Sequence, residues 1–141
     1  MFSLKEKTAI ISGGSKGIGK SIAFKYAEAG ANVVICSRKK DNLDSAIEEA
    51  QTLGCNIIGI ECNTGEKESI NNVVDKTLEQ FKRVDILVNN AAANPYYGPI
   101  LNSEDSHWEK IWDINVKGYF NFIKACSKSM KDNKYGKIIN V

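Results

Sequence analysis

Five short apolar runs punctuate the chain: Thr8-Ala9-Ile10-Ile11, Val33-Val34-Ile35, Ile57-Ile58-Gly59-Ile60, Ile86-Leu87-Val88 and Ile138-Ile139-Asn140-Val141. None alternates cleanly with polar residues, so each reads as a strand buried on both faces. Between them apolar residues recur at three- and four-residue steps: Ile18, Ile22 and Tyr26; Leu43, Ala46, Ile47, Ala50 and Leu53; Ile70, Val73, Val74, Thr77, Leu78 and Phe81. Each set predicts a helix with one stripe against a sheet. Gly30 and Gly54 each follow the last periodic residue and suit left-handed C-terminal caps, while Asp41 is placed to accept from the first turn of its helix. A further helix is expected from about Ser106 to Met130. Trp108, Ile111, Trp112, Ile114, Val116, Tyr119, Phe120, Phe122, Ile123 and Cys126 cover more of its circumference than one sheet-facing stripe needs.

Strand and helix thus alternate from residue 8, and right-handed crossovers between parallel strands lead to a doubly wound α/β sheet of about five strands. There is no legible linker or domain boundary, so residues 1–141 read as a single unit. The one long irregular segment, Asn94-Pro95-Tyr96-Tyr97-Gly98-Pro99, follows a strand at the carboxyl edge, where such sheets bind ligands.

Ser12-Gly13-Gly14-Ser15-Lys16-Gly17-Ile18-Gly19 joins the first strand to the first helix. Gly13 permits a sharp turn, Gly17 clears space for a phosphate, and Gly19 allows close packing of the helix. The free N–H groups at that helix start face an anion. This context turns a weak glycine triplet into a strong sign of a dinucleotide-binding Rossmann sheet. At the end of the second strand, Ser37-Arg38-Lys39-Lys40 stands where NAD-binding sheets usually carry an acid. Arg38 can grip a 2′-phosphate at two points, and Lys16 lies on the same side of the pocket, so NADP(H) is expected over NAD(H).

Charge and composition narrow the picture further. A net charge of +2, with Lys and Arg spread along the chain, suggests no nucleic-acid partner. The N-terminal residues lack the apolar core of a signal peptide and no run approaches a membrane span, which predicts a cytoplasmic protein without membrane contact. Cys36, Cys55, Cys62 and Cys126 show no Cys-x-x-Cys pair or histidine cluster, so no metal site is legible and buried thiols are expected. His107, the sole histidine, reads as a solvated residue in a helical first turn.

These residues resemble the short-chain dehydrogenase/reductase family over essentially the whole chain. Gly13, Gly17 and Gly19 have its glycine spacing; Asn89-Asn90-Ala91-Ala92 is similar to its Asn-Asn-Ala-Gly segment; Asp113-Ile114-Asn115-Val116 resembles its Asn-containing helix motif. Asn90 to Pro99 resembles its carbonyl-reductase branch. The resemblance implies that Gly13, Ser15, Lys16, Gly17, Ile18, Gly19, Arg38, Asn63, Asn90, Ala91 and Ala92 bind the cofactor. It also implies that Asn115 is a catalytic-site residue holding a proton-relay water; from the residue alone, a helix amide bonded to nearby backbone is the simpler expectation. Asn63 replaces a usual aspartate and keeps a carbonyl acceptor for the adenine amino group. Ala92 replaces a glycine.

In the family, the last strand continues into a serine, and a Tyr-x-x-x-Lys helix follows. Neither is in these 141 residues: Tyr135 precedes a strand, and Ile139 stands where the lysine would be. The reading is therefore a Rossmann unit truncated after the fifth strand. It would be the cofactor-binding part of an NADP(H)-dependent oxidoreductase acting on a carbonyl or alcohol, inactive by itself and homo-oligomeric. The alternatives are a non-catalytic dinucleotide-binding or interaction module, and one half of a split enzyme.

Overall fold

The structure, a computed structural model, describes residues 2–141. Its strands are β1 (Thr8–Ser12), β2 (Asn32–Ser37), β3 (Ile57–Glu61), β4 (Ile86–Asn89) and β5 (Lys137–Asn140), in spatial order β3-β2-β1-β4-β5. Every pairing is parallel: Ile10 lies opposite Val34 and Leu87, and Val88 opposite Ile139. The direction of winding reverses between β1 and β4. That reversal opens a crevice at the carboxyl ends of these two strands.

Helices α1 (Gly17–Glu28), α2 (Lys40–Thr52) and α3 (Lys67–Phe81) form the crossovers expected from the apolar spacing. Successive residues of a strand point to opposite faces, so one chain segment builds two cores. Ala9, Ile11, Val33, Ile35, Ile86 and Val88 pack with Ala23, Leu43 and Ala46 on the α1–α2 face. Ile10, Val34, Leu87, Ile70, Val73 and Phe122 fill the other face. This double burial is why β1, β2 and β4 show no polar alternation; β5, expected from its apolar run to be buried on both faces, is instead exposed along Lys137–Asn140, because it forms an edge of the sheet.

Gly30 and Gly54 take positive φ beyond the ends of α1 and α2, as the punctuation predicts. Asp41 does not cap α2. The cap position is Lys39, two residues earlier than the polar pattern suggests, and it makes no side-chain cap bond; Asp41 sits inside the first turn. The aromatic-rich helix divides into α4 (Asp105–Ile111), a π-helical turn at Trp112–Gly118, and α5 (Tyr119–Asp132). His107 is not simply solvated: its Nδ1 accepts from the Glu104 N–H at 3.1 Å, and its ring stacks on Tyr96 at 4.9 Å. No helix among the described residues is long and apolar enough to cross a membrane.

At the amino edge, Asp85 is fully buried. It accepts from the Thr8 N–H at 2.9 Å and from Arg83 through both oxygens, at 2.8 and 2.6 Å. This fixes β4 against β1, and with it the two strand ends that frame the crevice.

Candidate functional site

The end of β1 determines the shape of the crevice. Gly13 turns the chain at φ +67°, and the N–H groups of Gly13 and Gly14 donate to the Cys36 carbonyl at 2.8 and 3.3 Å. The loop is thereby tied to β2. A Cβ at Gly19 would strike the Gly13 carbonyl oxygen and Asn90 Nδ2, so only glycine lets α1 begin this close to the loop. Nothing lies within 4 Å of where a Gly17 Cβ would stand, which leaves its backbone open to a ligand.

Opposite, β4 ends in Asn89, and Asn90 follows it. Asn89 Nδ2 donates to Asn140 Oδ1 at 3.0 Å and links β4 to β5. Asn90 Nδ2 donates to the carbonyls of Ser12 and Gly13, at 3.0 and 3.2 Å. The Ser12 hydroxyl accepts from the N–H groups of Asn90 and Ala91, at 3.0 and 3.1 Å. Ser12 was not singled out from the sequence. Its position between a buried strand and Gly13 is the signal that could have found it.

A pocket of about 260 Å³ opens between these elements. The candidate residues Gly13, Ser15, Lys16, Arg38, Asn90, Ala91 and Ala92 line it, joined by Ser37, Asn42, Cys62, Thr64 and Ile114. Two cations border it, and no carboxylate does. Among the described residues neither Lys16 nor Arg38 forms a salt bridge. A groove of about 800 Å³ along the outer edge of β3 is larger, yet its rim mixes Lys40, Lys76, Asp44, Glu61 and Glu79 and has no glycine loop. Donor chemistry, not size, therefore selects the smaller pocket.

Gly17, Ile18, Gly19, Asn63 and Asn115 do not line it, Gly17 bordering the neighbouring groove with Ile18. Ile18 is 64% exposed and borders a groove with Ile22, Tyr26 and Ile139 on the α1 face of the sheet. The Asn63 amide serves its own turn: Nδ2 donates to Glu66 at 2.7 Å, and Oδ1 accepts from the Gly65 N–H at 3.1 Å. One lone pair of that oxygen remains for a ligand. Ala92 has no positive φ, consistent with the loss of a glycine there. Asn115 lies in the π-helical turn and clamps the backbone of Ala93: Oδ1 accepts from its N–H at 2.8 Å, and Nδ2 donates to its carbonyl at 3.1 Å. The amide thus holds the segment that carries Asn90 to Ala92.

All four cysteines are buried and unpaired. Burial pushes the Cys126 thiol up to about 12. Cys36 is raised by its hydrogen bond to Cys62 and by burial, whereas Cys62 is lowered, first by the bond from Cys36 and then by one from Ser69, against the cost of burial.

Residues 7–141 match the family described as short chain dehydrogenase. The mouse protein named dehydrogenase/reductase SDR family member 4 is 36% identical over 138 residues, which are 98% of this chain and 50% of that protein. A crystal structure of a metagenomic short-chain oxidoreductase in complex with NADP superposes with a TM-score of 0.90 at 29% identity, covering 97% of this chain and 62% of that one. An NAD⁺-bound xylitol dehydrogenase gives 0.91 at 26% identity, covering 96% and 52%. The chain thus spans about half the length of the curated relatives it matches. Neighbours with either dinucleotide share the fold, so cofactor choice rests on the residues at the pocket.

Proposed function

Because the chain belongs to the short-chain dehydrogenase family, we propose that it forms the cofactor-binding part of an NADP(H)-dependent oxidoreductase acting on a carbonyl or an alcohol. The observation that carries this reading is the pair Lys16 and Arg38 on one pocket with the glycine loop, with no carboxylate beside them. A dianionic 2′-phosphate is attracted there, and a bare ribose hydroxyl gains nothing from the same cations.

The residues fit a dinucleotide. Gly13 and Gly19 leave a cradle that a Cβ would fill, and Ser15 and Lys16 stand at the start of α1, where free N–H groups favour a pyrophosphate. Asn90 holds the loop in that shape, and Asn115 holds Ala93 and the segment before it. Bound nicotinamide supplies or accepts the hydride. Proton delivery to the substrate oxygen needs an acid, and the 141 residues contain no Tyr-x-x-x-Lys sequence to provide one. A polypeptide of these residues alone is therefore expected to bind cofactor without turnover.

Fluorescence titration with NADPH and NADH tests the proposal. The chain is expected to prefer NADPH by about ten- to hundredfold, the equivalent of one charge-assisted contact of roughly 1.5–3 kcal/mol, and Arg38→Ala to remove that preference. Equal affinities in the unaltered chain overturn it.

A further inference from the structure

The helices cover the two faces of the sheet unequally. On one side α1 packs on β1 and β2, and α2 on β2 and β3; on the other, α3 packs on β2 and β3, and α5 on β4. Ile139 lies opposite Val88 and so points to the α1–α2 face, where α1 is the outermost helix. A groove of about 730 Å³ remains there, walled by Ile18, Ile22 and Tyr26 of α1 and floored by Val88 and Ile139. The charged residues that line it are Lys20 and Lys25, without a carboxylate.

The opposite side of the molecule carries the converse shape. Trp108, Trp112, Val116 and Phe120 are all exposed along one helical course. Four-residue steps drift around an α-helix of 3.6 residues per turn. The wider π-helical turn at Trp112–Gly118 offsets that drift and keeps the four in one ridge. Beside the ridge, Asp105 and Glu109 stand one turn apart and exposed, and among the described residues neither forms a salt bridge.

We propose that the groove is the seat of the Trp108–Phe120 ridge of a second copy of this chain, in a head-to-tail contact. A ridge laid on a ridge would cover one apolar face and leave the groove open in both copies, whereas a ridge in a groove covers the two faces at once. Charge agrees with shape. The contact brings the acidic flank of Asp105 and Glu109 to a rim whose lining charges are both cationic. Lys20 and Lys25 already hold Glu49 and Glu28 at 2.7 Å, but exposed pairs of this kind contribute little and exchange partners at small cost. Such rim charges steer the approach, and the apolar fit holds the contact. Because the two surfaces differ, the contact does not close on itself at two copies. Repeated, it builds a ring or an open chain. It uses neither Arg38 nor Asn90, so it stands whether or not the other pocket takes a dinucleotide.

Light scattering and sedimentation of the 141-residue chain, alone and as mixed variants, test the contact. The unaltered chain is expected to pass beyond the mass of a dimer as its concentration rises. Trp112→Glu sets a charge in the ridge and Ile139→Lys sets one in the groove floor, and each alone is expected to be monomeric. Mixed in equal amounts they are expected to form a dimer and to stop there, because the first keeps a working groove and the second a working ridge. Ser21→Arg, at an exposed position on the groove wall, is the second groove variant should Ile139→Lys fail to fold, and is expected to behave in the same way. A folded groove variant that still dimerises alone overturns the proposal in favour of ridge-on-ridge packing, and association that survives Trp112→Glu overturns it too. A mixture of folded variants that stays monomeric overturns it and leaves the groove to a partner other than this chain. An unaltered chain that is monomeric throughout, or that closes at two copies, does the same.

Discussion

Asn42 sits in the first turn of α2, half-buried on the wall of the pocket beside Ser37 and Arg38. Its amide can donate to a phosphate oxygen without adding charge. Asn42→Ala is expected to weaken NADPH about tenfold while leaving NADH unchanged, read by the same paired titrations as Arg38→Ala; an equal loss for both cofactors would mean that it shapes the pocket rather than reads the phosphate. Asn42 was not legible in the sequence, because an asparagine near a helix start is ordinary and only the approach of α2 to the glycine loop gives it a ligand to face. Gly13 and Gly19 were legible, since a turn at positive φ and a backbone contact leave no other residue type. Asp85 is a third case. Its role depends on pairing with Arg83 two residues earlier and with Thr8 across the sheet, and only the Arg83 half is visible locally. Asp85→Ala leaves the Thr8 N–H without its acceptor. Because Arg83 is 35% exposed and can turn to water, the loss should lie near the lower end for a broken buried pair, about 3 kcal/mol. Urea unfolding is the measurement, and a loss below about 1 kcal/mol would show that the pair contributes no more than an exposed one.

At the scale of elements, β1, β2 and β4 were readable as unbroken apolar runs buried on both faces, and α1 to α3 because each carries one apolar stripe against the sheet. The long helix after the Tyr96 loop was not readable in detail. Its start and end near Ser106 and Met130 follow from composition, but the π-helical turn at Trp112–Gly118 does not, because a wider turn has no propensity signature and survives only where tertiary contacts hold it. Two contacts do so here. Asn115 clamps Ala93, and Gly118 packs so closely on the loop before α3 that a Cβ would lie 2.6 Å from the Thr64 carbonyl oxygen. Thr64 and Ile114 both line the pocket, so the turn joins the cofactor site to the outer helix face. Gly118→Ala must push Thr64 or the helix aside, at a cost of roughly 1–3 kcal/mol as for other overpacking. It is expected to lower the melting temperature and to weaken binding of both dinucleotides together. Weakened stability with unchanged affinity would show that the loop yields without disturbing the pocket.

For the whole molecule, the decisive feature is apolar surface that the fold leaves uncovered. Trp108, Trp112, Val116 and Phe120, at four-residue intervals, are 54%, 56%, 42% and 60% exposed. The Tyr96 loop stacks on His107 but leaves Tyr97 and Leu101 almost fully exposed and does not cover these residues. β5 forms one edge of the sheet, and Ile138, Ile139 and Val141 are 43%, 38% and 55% exposed. Scattered apolar residues need no partner, but a continuous stripe and an unpaired strand edge each favour association. A polypeptide of these 141 residues is therefore expected to self-associate, burying the Trp108–Phe120 stripe between copies. Trp112→Glu placed in the centre of that stripe would set an unpaired charge in the contact and shift the equilibrium toward monomer, while Ile139→Lys would do so only where the strand edge takes part. Light scattering across a concentration series, with dye binding to report open apolar surface, separates the outcomes. Concentration-dependent mass that Trp112→Glu abolishes assigns the contact to the helix, and mass that only Ile139→Lys lowers assigns it to β5. A compact monomer at every concentration with no dye bound would show that the stripe is sealed within the chain, and the expectation of an oligomer would be wrong.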